Sequence, residues 1–243
     1  WPGAAAHQPL MTPPRSQVCL GMGSIAVTDF STPIIRRQLA ASDPVMDLIL
    51  RTHGPCLLKP ERSGSPYQAL ARAVIYQQLH GKAAATILGR VQALVDPARF
   101  PTPEELSTLD DTALRGAGLS ANKLLALRDL AAKAVDGTLP SARAVRFLSD
   151  DEIIARCTQV RGVGRWTVEM LLIFRLGRPD VLPADDYGVR NGYRLAYGLK
   201  EMPTPKELTA IGARWAPWRS VAAWYLWRAA DAEKAARAGT KAS

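Results

Sequence analysis

"QVRGVGRWTV", residues 159–168, carries two glycines one residue apart between stretches that both have helical spacing. Glycines so placed mark a tight turn between two helices, a hairpin expected over about 150–176. The stretch is not a dinucleotide fingerprint, because Thr167 stands where the third glycine would be and a helix rather than a strand precedes the turn; no Walker loop occurs elsewhere. Behind the glycines a helix begins with free amides at the positive end of its dipole. Gly162 and Gly164, flanked by Arg161 and Arg165, are therefore expected to hold a phosphate oxygen. An ordinary helix–helix turn has the same local pattern, and this stretch alone does not separate the two.

Working outward, "TPEE" at 102, "SDDE" at 149 and "TPKE" at 204 each put Ser or Thr at a cap with Glu three residues later. The segments they open, and others such as "LLALRDLAAKAV" (124–135), repeat apolar residues at helical spacing, while strand-like alternation is scarce. The chain is expected to be all-α, with helices near 33–41, 44–53, 66–78, 82–95, 103–117, 121–136, 150–158, 165–176, 186–197, 204–214 and 217–237. Residues 1–31, rich in proline and without periodicity, read as a poorly ordered tail, 32–238 as one helical domain and 239–243 as a frayed end.

With 243 residues and 47% apolar content, the chain can bury a core. Its net charge of +9 points to a polyanion partner, although a merely basic surface would give the same number. Cys19, Cys56 and Cys157, like His7, His53 and His80, are scattered, which disfavours disulfides, zinc and an iron–sulfur cluster. No apolar run approaches the roughly 20 residues of a membrane span, and a soluble cytoplasmic protein is expected.

About twenty residues beyond the hairpin lies "VLPADDYGVR" (181–190), with Asp185 and Asp186 at the start of the next helix. An N-cap is the commonest role for an aspartate there. The hairpin, "LPADDY" and "WAPWRSVAAWYLW" (215–227) together resemble the helix-hairpin-helix DNA glycosylases, most closely the 3-methyladenine DNA glycosylase II branch of alkylation repair. The resemblance covers about 33–237, and "YQQLHGKAA" (76–84) and "GLSANK" (118–123) share it.

That resemblance implies a two-lobed helical fold in the compact form, without an added N-terminal sheet domain. The terminal helices would form one lobe, the middle helices the other, and a base pocket would lie between them. It implies action on double-stranded DNA at the nucleoid, in base excision repair, with no cofactor required, and a monomer is the natural default for an enzyme that scans DNA. A flipped alkylated purine of the 3-methyladenine or 7-methylguanine class would be excised by hydrolysis of its N-glycosidic bond. Asp186 matches the catalytic carboxylate, with Asp185 a cap or supporting partner. Trp166 and Trp227 match pocket walls, and Tyr187 is a third candidate. Met170 stands where some relatives have tyrosine. Because Trp166 also occupies the position of the lysine that attacks the sugar in bifunctional relatives, no strand cleavage is expected.

By the same resemblance Gln77, Gln78, Leu79 and His80 match the turn that enters the duplex, Gly81 permitting the bend, with Leu79 and His80 as the wedge and Lys82 or Lys123 on phosphates. On the residues alone, Leu79 is as readily a core side chain and His80 a surface one. A structural Na⁺ or K⁺ on the carbonyls of Thr158, Val160 and Val163 is implied as well. Trp215, Trp218 and Trp224 read as core. Two other functions fit parts of the pattern: a non-catalytic DNA-binding module, which has no use for a carboxylate beside phosphates, and a glycosylase for an oxidised or mismatched base.

Overall fold

A computed structural model describes residues 29–61 and 64–241. The chain forms α1 (Pro33–Ser42), α2 (Pro44–His53), α3 (Pro66–Tyr76), α4 (Gly81–Ala93), α5 (Pro103–Thr108), α6 (Asp111–Gly116), α7 (Ala121–Val135), α8 (Asp150–Cys157), α9 (Arg165–Leu171), α10 (Tyr187–Ala196), α11 (Pro205–Gly212) and α12 (Arg219–Lys241). No strand occurs among the described residues.

The three expected capping boxes form, at Thr102 with Glu105, Ser149 with Glu152 and Thr204 with Glu207, and a fourth joins Ser65 to Gln68 ahead of α3. Each serine or threonine oxygen takes an N–H that the first turn cannot use, and the Glu or Gln returns the bond to the cap. The single helix expected over 103–117 is two. Asp110 accepts the Ala113 N–H and caps a new helix after Leu109 has turned extended. The helix expected over 165–176 is α9 followed by a π-helical turn, Leu172–Leu176, which ends at left-handed Gly177.

Two lobes result. In one, α1 packs on α2, α2 on α12, and α12 on α10. In the other, α7 carries α3, α5 and α6, while α9 packs on α8 and α3. Asp43 ties the terminal lobe together: its Oδ1 caps α2 through the Val45 N–H at 2.8 Å, and its Oδ2 accepts the Tyr197 hydroxyl at 2.6 Å and Arg214 at 3.1 Å. The α10–α12 contact depends on Gly192, where a Cβ would stand 1.9 Å from the Leu226 carbonyl oxygen.

Phe30, placed in the tail by its sequence context, is buried in the core, and helix α12 runs through 239–241, which were expected to fray. Both boundaries move outward because apolar contact and helix hydrogen bonding extend past the last strong local signal. Residues 1–28 of the expected tail and 242–243 of the expected frayed end lie outside the described residues, as do Cys19 and His7. Trp215 and Trp224 are buried as expected. Trp218 is half-buried and donates to Gln38.

Candidate active site

The hairpin turn is anchored from below by Val160 and Val163, both buried, and from the side by α7, where Asp129 accepts the Arg161 N–H at 2.7 Å. Burial pushes the Asp129 carboxyl up, but the Lys133 side chain and the Arg161 N–H outweigh it and hold the group below the usual carboxylate range. Gly162 has φ 75°, the left-handed region that glycine enters freely. Gly164 differs from expectation. It caps α9 at φ −90°, where any residue fits, and the space beside it is open. Arg161 is exposed, whereas Arg165 is engaged by Glu169 at 2.9 Å. The Val160 carbonyl accepts the Val163 N–H at 3.0 Å; no described hydrogen bond ends on the Thr158 or Val163 carbonyl, so neutral oxygens suited to a hard monovalent cation remain at the turn.

Asp186 caps α10, so the bland expectation for it holds, and it does more. Its Oδ1 accepts the Val189 N–H at 2.8 Å and the Trp227 indole N–H at 2.8 Å, while its Oδ2 accepts the Trp166 indole N–H at 2.7 Å. Donors from α9, α10 and α12 thus fix one half-buried carboxylate. Gly188 makes this possible: a Cβ there would meet Trp227 Cδ1 at 2.8 Å. Asp185 is exposed and caps nothing. It borders a polar cleft of about 580 Å³ with Arg165, Glu169 and Arg219. Glu169, 3% exposed, is raised above the usual range by burial, against the pull of Arg165 and with the push of Asp185 and Asp186.

On the other side of α9, a mainly apolar cleft of about 620 Å³ opens against α3. Trp166, Met170 and Phe174, spaced four apart, line one wall; Ala69, Ala73 and Tyr76 line the other. The Arg72 guanidinium lies 4.4 Å over the Tyr76 ring. Two expected pocket residues, Trp166 and Met170, are therefore on the wall. Trp227 is set apart from that lining: it stacks on Phe174, with ring centres 5.6 Å apart, and meets the carboxylate instead. Tyr187 is 67% exposed and takes no part in the lining. Phe174, Tyr76 and Gly188 were missed. The Trp-x₃-Met-x₃-Phe spacing was a usable signal for Phe174, whereas nothing local pointed to the other two.

At the mouth of this cleft α3 ends in a turn with Gln77 at φ −53°, ψ 130° and Gln78 at φ 57°, the pattern of a type II turn with a side chain where glycine is preferred. Left-handed backbone there costs about 1–2 kcal/mol. Leu79 is 39% exposed, so it is not a core residue, and His80 and Lys82 are exposed at the start of α4. Lys123, expected on a phosphate, donates its Nζ–H to the Ile75 carbonyl at 2.7 Å, at the end of α3, and burial lowers the pKa of its ammonium. Gln77 Nε2 donates to the Gly162 carbonyl at 2.9 Å.

Elsewhere, Cys56 and Cys157 are free and buried, which pushes their thiols up to about 11 and about 12. No group of three His, Cys, Asp or Glu suited to a metal occurs among the described residues, and none of their helices is long and apolar enough to cross a membrane.

A family model described as HhH-GPD superfamily base excision DNA repair protein matches residues 71–217. DNA-3-methyladenine glycosylase 1 of Schizosaccharomyces pombe is 45% identical over 173 residues, 70% of this chain and 76% of that protein. Among solved structures, the S. pombe 3-methyladenine DNA glycosylase in complex with abasic DNA superposes with TM-score 0.69 at 41% identity, covering 80% of this chain and 95% of that one. A DNA-3-methyladenine glycosidase from Bacillus halodurans superposes at 0.75 with 35% identity, covering 83% and 91%.

Proposed function

The chain belongs to the HhH-GPD superfamily of base excision DNA repair proteins, and from that membership we propose that it is a monofunctional DNA glycosylase that excises alkylated purines of the 3-methyladenine and 7-methylguanine class. The observation that carries the reading is the Asp186 carboxylate held by two indole N–H groups, one of them on the tryptophan that also walls an apolar cleft.

A base cannot be reached inside the stack, so the nucleotide must leave it. Gln78, Leu79 and His80 stand exposed on one turn and would fill the gap, while the hairpin amides and Arg161 would hold the backbone. The flipped base would enter between Tyr76 and the Trp166, Met170 and Phe174 wall, whose electron-rich faces favour a cationic purine. Such a base already carries the positive charge its departure requires. It leaves neutral with the bonding electron pair, and no proton donor is called for. The sugar carbon becomes cationic as the bond lengthens, and the fixed Asp186 charge stabilises it. Water then adds to that carbon, its proton passing to the carboxylate or to solvent, leaving an abasic site and an unbroken strand. Trp166 stands where the resemblance places the attacking lysine of bifunctional relatives, so no amine is supplied there for strand cleavage.

The carbonyls of Thr158, Val160 and Val163 would hold a monovalent cation, which would add positive charge beside the phosphate and take no part in bond breaking. We assign the protein's place of action to the cytoplasm, at the nucleoid. The test is release of bases from dimethyl-sulfate-treated DNA by wild type and Asp186→Asn. Free methylpurine that depends on Asp186, with strands that break only after alkali, is the expected result; equal DNA binding by both proteins without release would leave a DNA-binding module in its place.

A further inference from the structure

The turn that faces the duplex is not held by its own residues alone. Gln78 is the one non-glycine residue with positive φ among the described residues, and such a conformation persists only where its surroundings over-determine it. Two long-range bonds do so. Lys123 on α7 takes the Ile75 carbonyl in the last turn of α3, and Gln77, the residue before Gln78, reaches across to the Gly162 carbonyl at 2.9 Å. Gly162 is itself fixed, since the neighbouring Arg161 N–H is bonded to Asp129. The Gln77–Gly162 bond therefore connects directly the two elements that must touch DNA at the same moment: the turn at 77–80, which fills the vacated base position, and the hairpin, which grips the backbone.

We propose that Gln77 is a positioning residue that sets the wedge turn in register with the hairpin, so that the base gap is filled while the phosphates are held. The inference rests on the glycosylase reading. The residue type suits the task. A primary amide donates to a neutral carbonyl without bringing a charge that would be neutralised or repelled by phosphates, and its length spans the cleft from the end of α3. Methionine has nearly the same reach and no donor; glutamate has the same shape and opposes one acceptor with another.

Two duplexes, each with a single 7-methylguanine, one opposite cytosine and one in an unpaired bulge, test this under single-turnover conditions. Gln77→Met is expected to slow excision from the paired duplex by about five-fold, the worth of one net hydrogen bond, and Gln77→Glu by at least as much. At the bulge, where the base is already out of the stack, both are expected within about two-fold of wild type. Equal losses on the two substrates, with melting temperatures unchanged, would overturn the positioning role and make Gln77 a pocket residue; equal losses with lowered melting temperatures would make it structural. No loss on either overturns it outright. Wild-type protein inactive on both duplexes, as well as on dimethyl-sulfate-treated DNA, would instead remove the glycosylase reading on which the inference stands.

Discussion

The indole N–H of Trp227 reaches Oδ1 of Asp186 at 2.8 Å across the α10–α12 interface, on the same oxygen that caps α10 through Val189. One oxygen thus serves helix and site, and the carboxylate cannot turn without giving up both bonds. Trp227→Phe keeps an aromatic ring against Phe174 and removes the donor. Excision should fall about ten-fold, with the melting temperature lowered by only a few degrees, because the lost bond is worth about 1 kcal/mol to folding. Unchanged single-turnover rates would show that Val189 and Trp166 orient the carboxylate without it.

Two glycines on α10 separate packing from chemistry. At Gly192 an added methyl meets the Leu226 carbonyl oxygen, a backbone atom that cannot step aside, and Gly192→Ala should destabilise the protein by about 3 kcal/mol in chemical denaturation. At Gly188 the added methyl meets the Trp227 ring, which can shift. Gly188→Ala should therefore cost less stability and more activity. The reverse order would contradict the close approach seen at Gly192.

Glu169 is an ionisable group whose folded-state value lies above its unfolded one because of burial. Its contribution to stability is present in full below about pH 4.3, the unfolded value, and is lost as pH rises through the folded value. Glu169→Gln removes that loss, so the variant should gain on wild type in urea unfolding as pH rises above the unfolded value. A stability difference independent of pH would mean that Arg165 and solvent already compensate the buried charge.

The basic residues proposed for DNA contact differ in their surroundings: Arg161 and Lys82 are exposed, whereas Lys123 bonds the Ile75 carbonyl. Arg161→Ala or Lys82→Ala should each reduce the slope of log affinity against log salt by about one, the signature of one phosphate contact. Lys123→Met should leave that slope unchanged, because its half-buried ammonium is turned toward the Ile75 carbonyl at the end of α3. A reduced slope for Lys123→Met would restore it to the phosphate-binding set.

Most helices and three of their capping boxes were legible in the chain because both signals act within one turn. The break at 109–110 was hidden because Leu109 continues the apolar spacing while Asp110 starts a new helix; the aspartate was visible, but its competition with an unbroken helix was decided by where α5 and α6 pack on α7. The Lys123–Ile75 contact was hidden for a related reason. A lysine near a helix start is equally compatible with a phosphate and with a carbonyl from another helix, and the Ile75 carbonyl is 48 residues away.

From the order of residues alone came the helical class and the hairpin around Gly162, since spacing and glycine conformation are local properties carried by neighbours; local capping gave Asp186 only an N-cap, and its candidacy as the catalytic carboxylate came from the family resemblance. What required the folded chain was convergence. Trp166 and Trp227 lie 20 and 41 residues from Asp186 yet donate to opposite oxygens of its carboxylate, and Gln77 lies 85 residues from the carbonyl it binds. Such bonds depend on helix orientations set by close contacts such as Gly192 against Leu226, which no stretch of sequence contains, because the two surfaces exist only once both helices are packed.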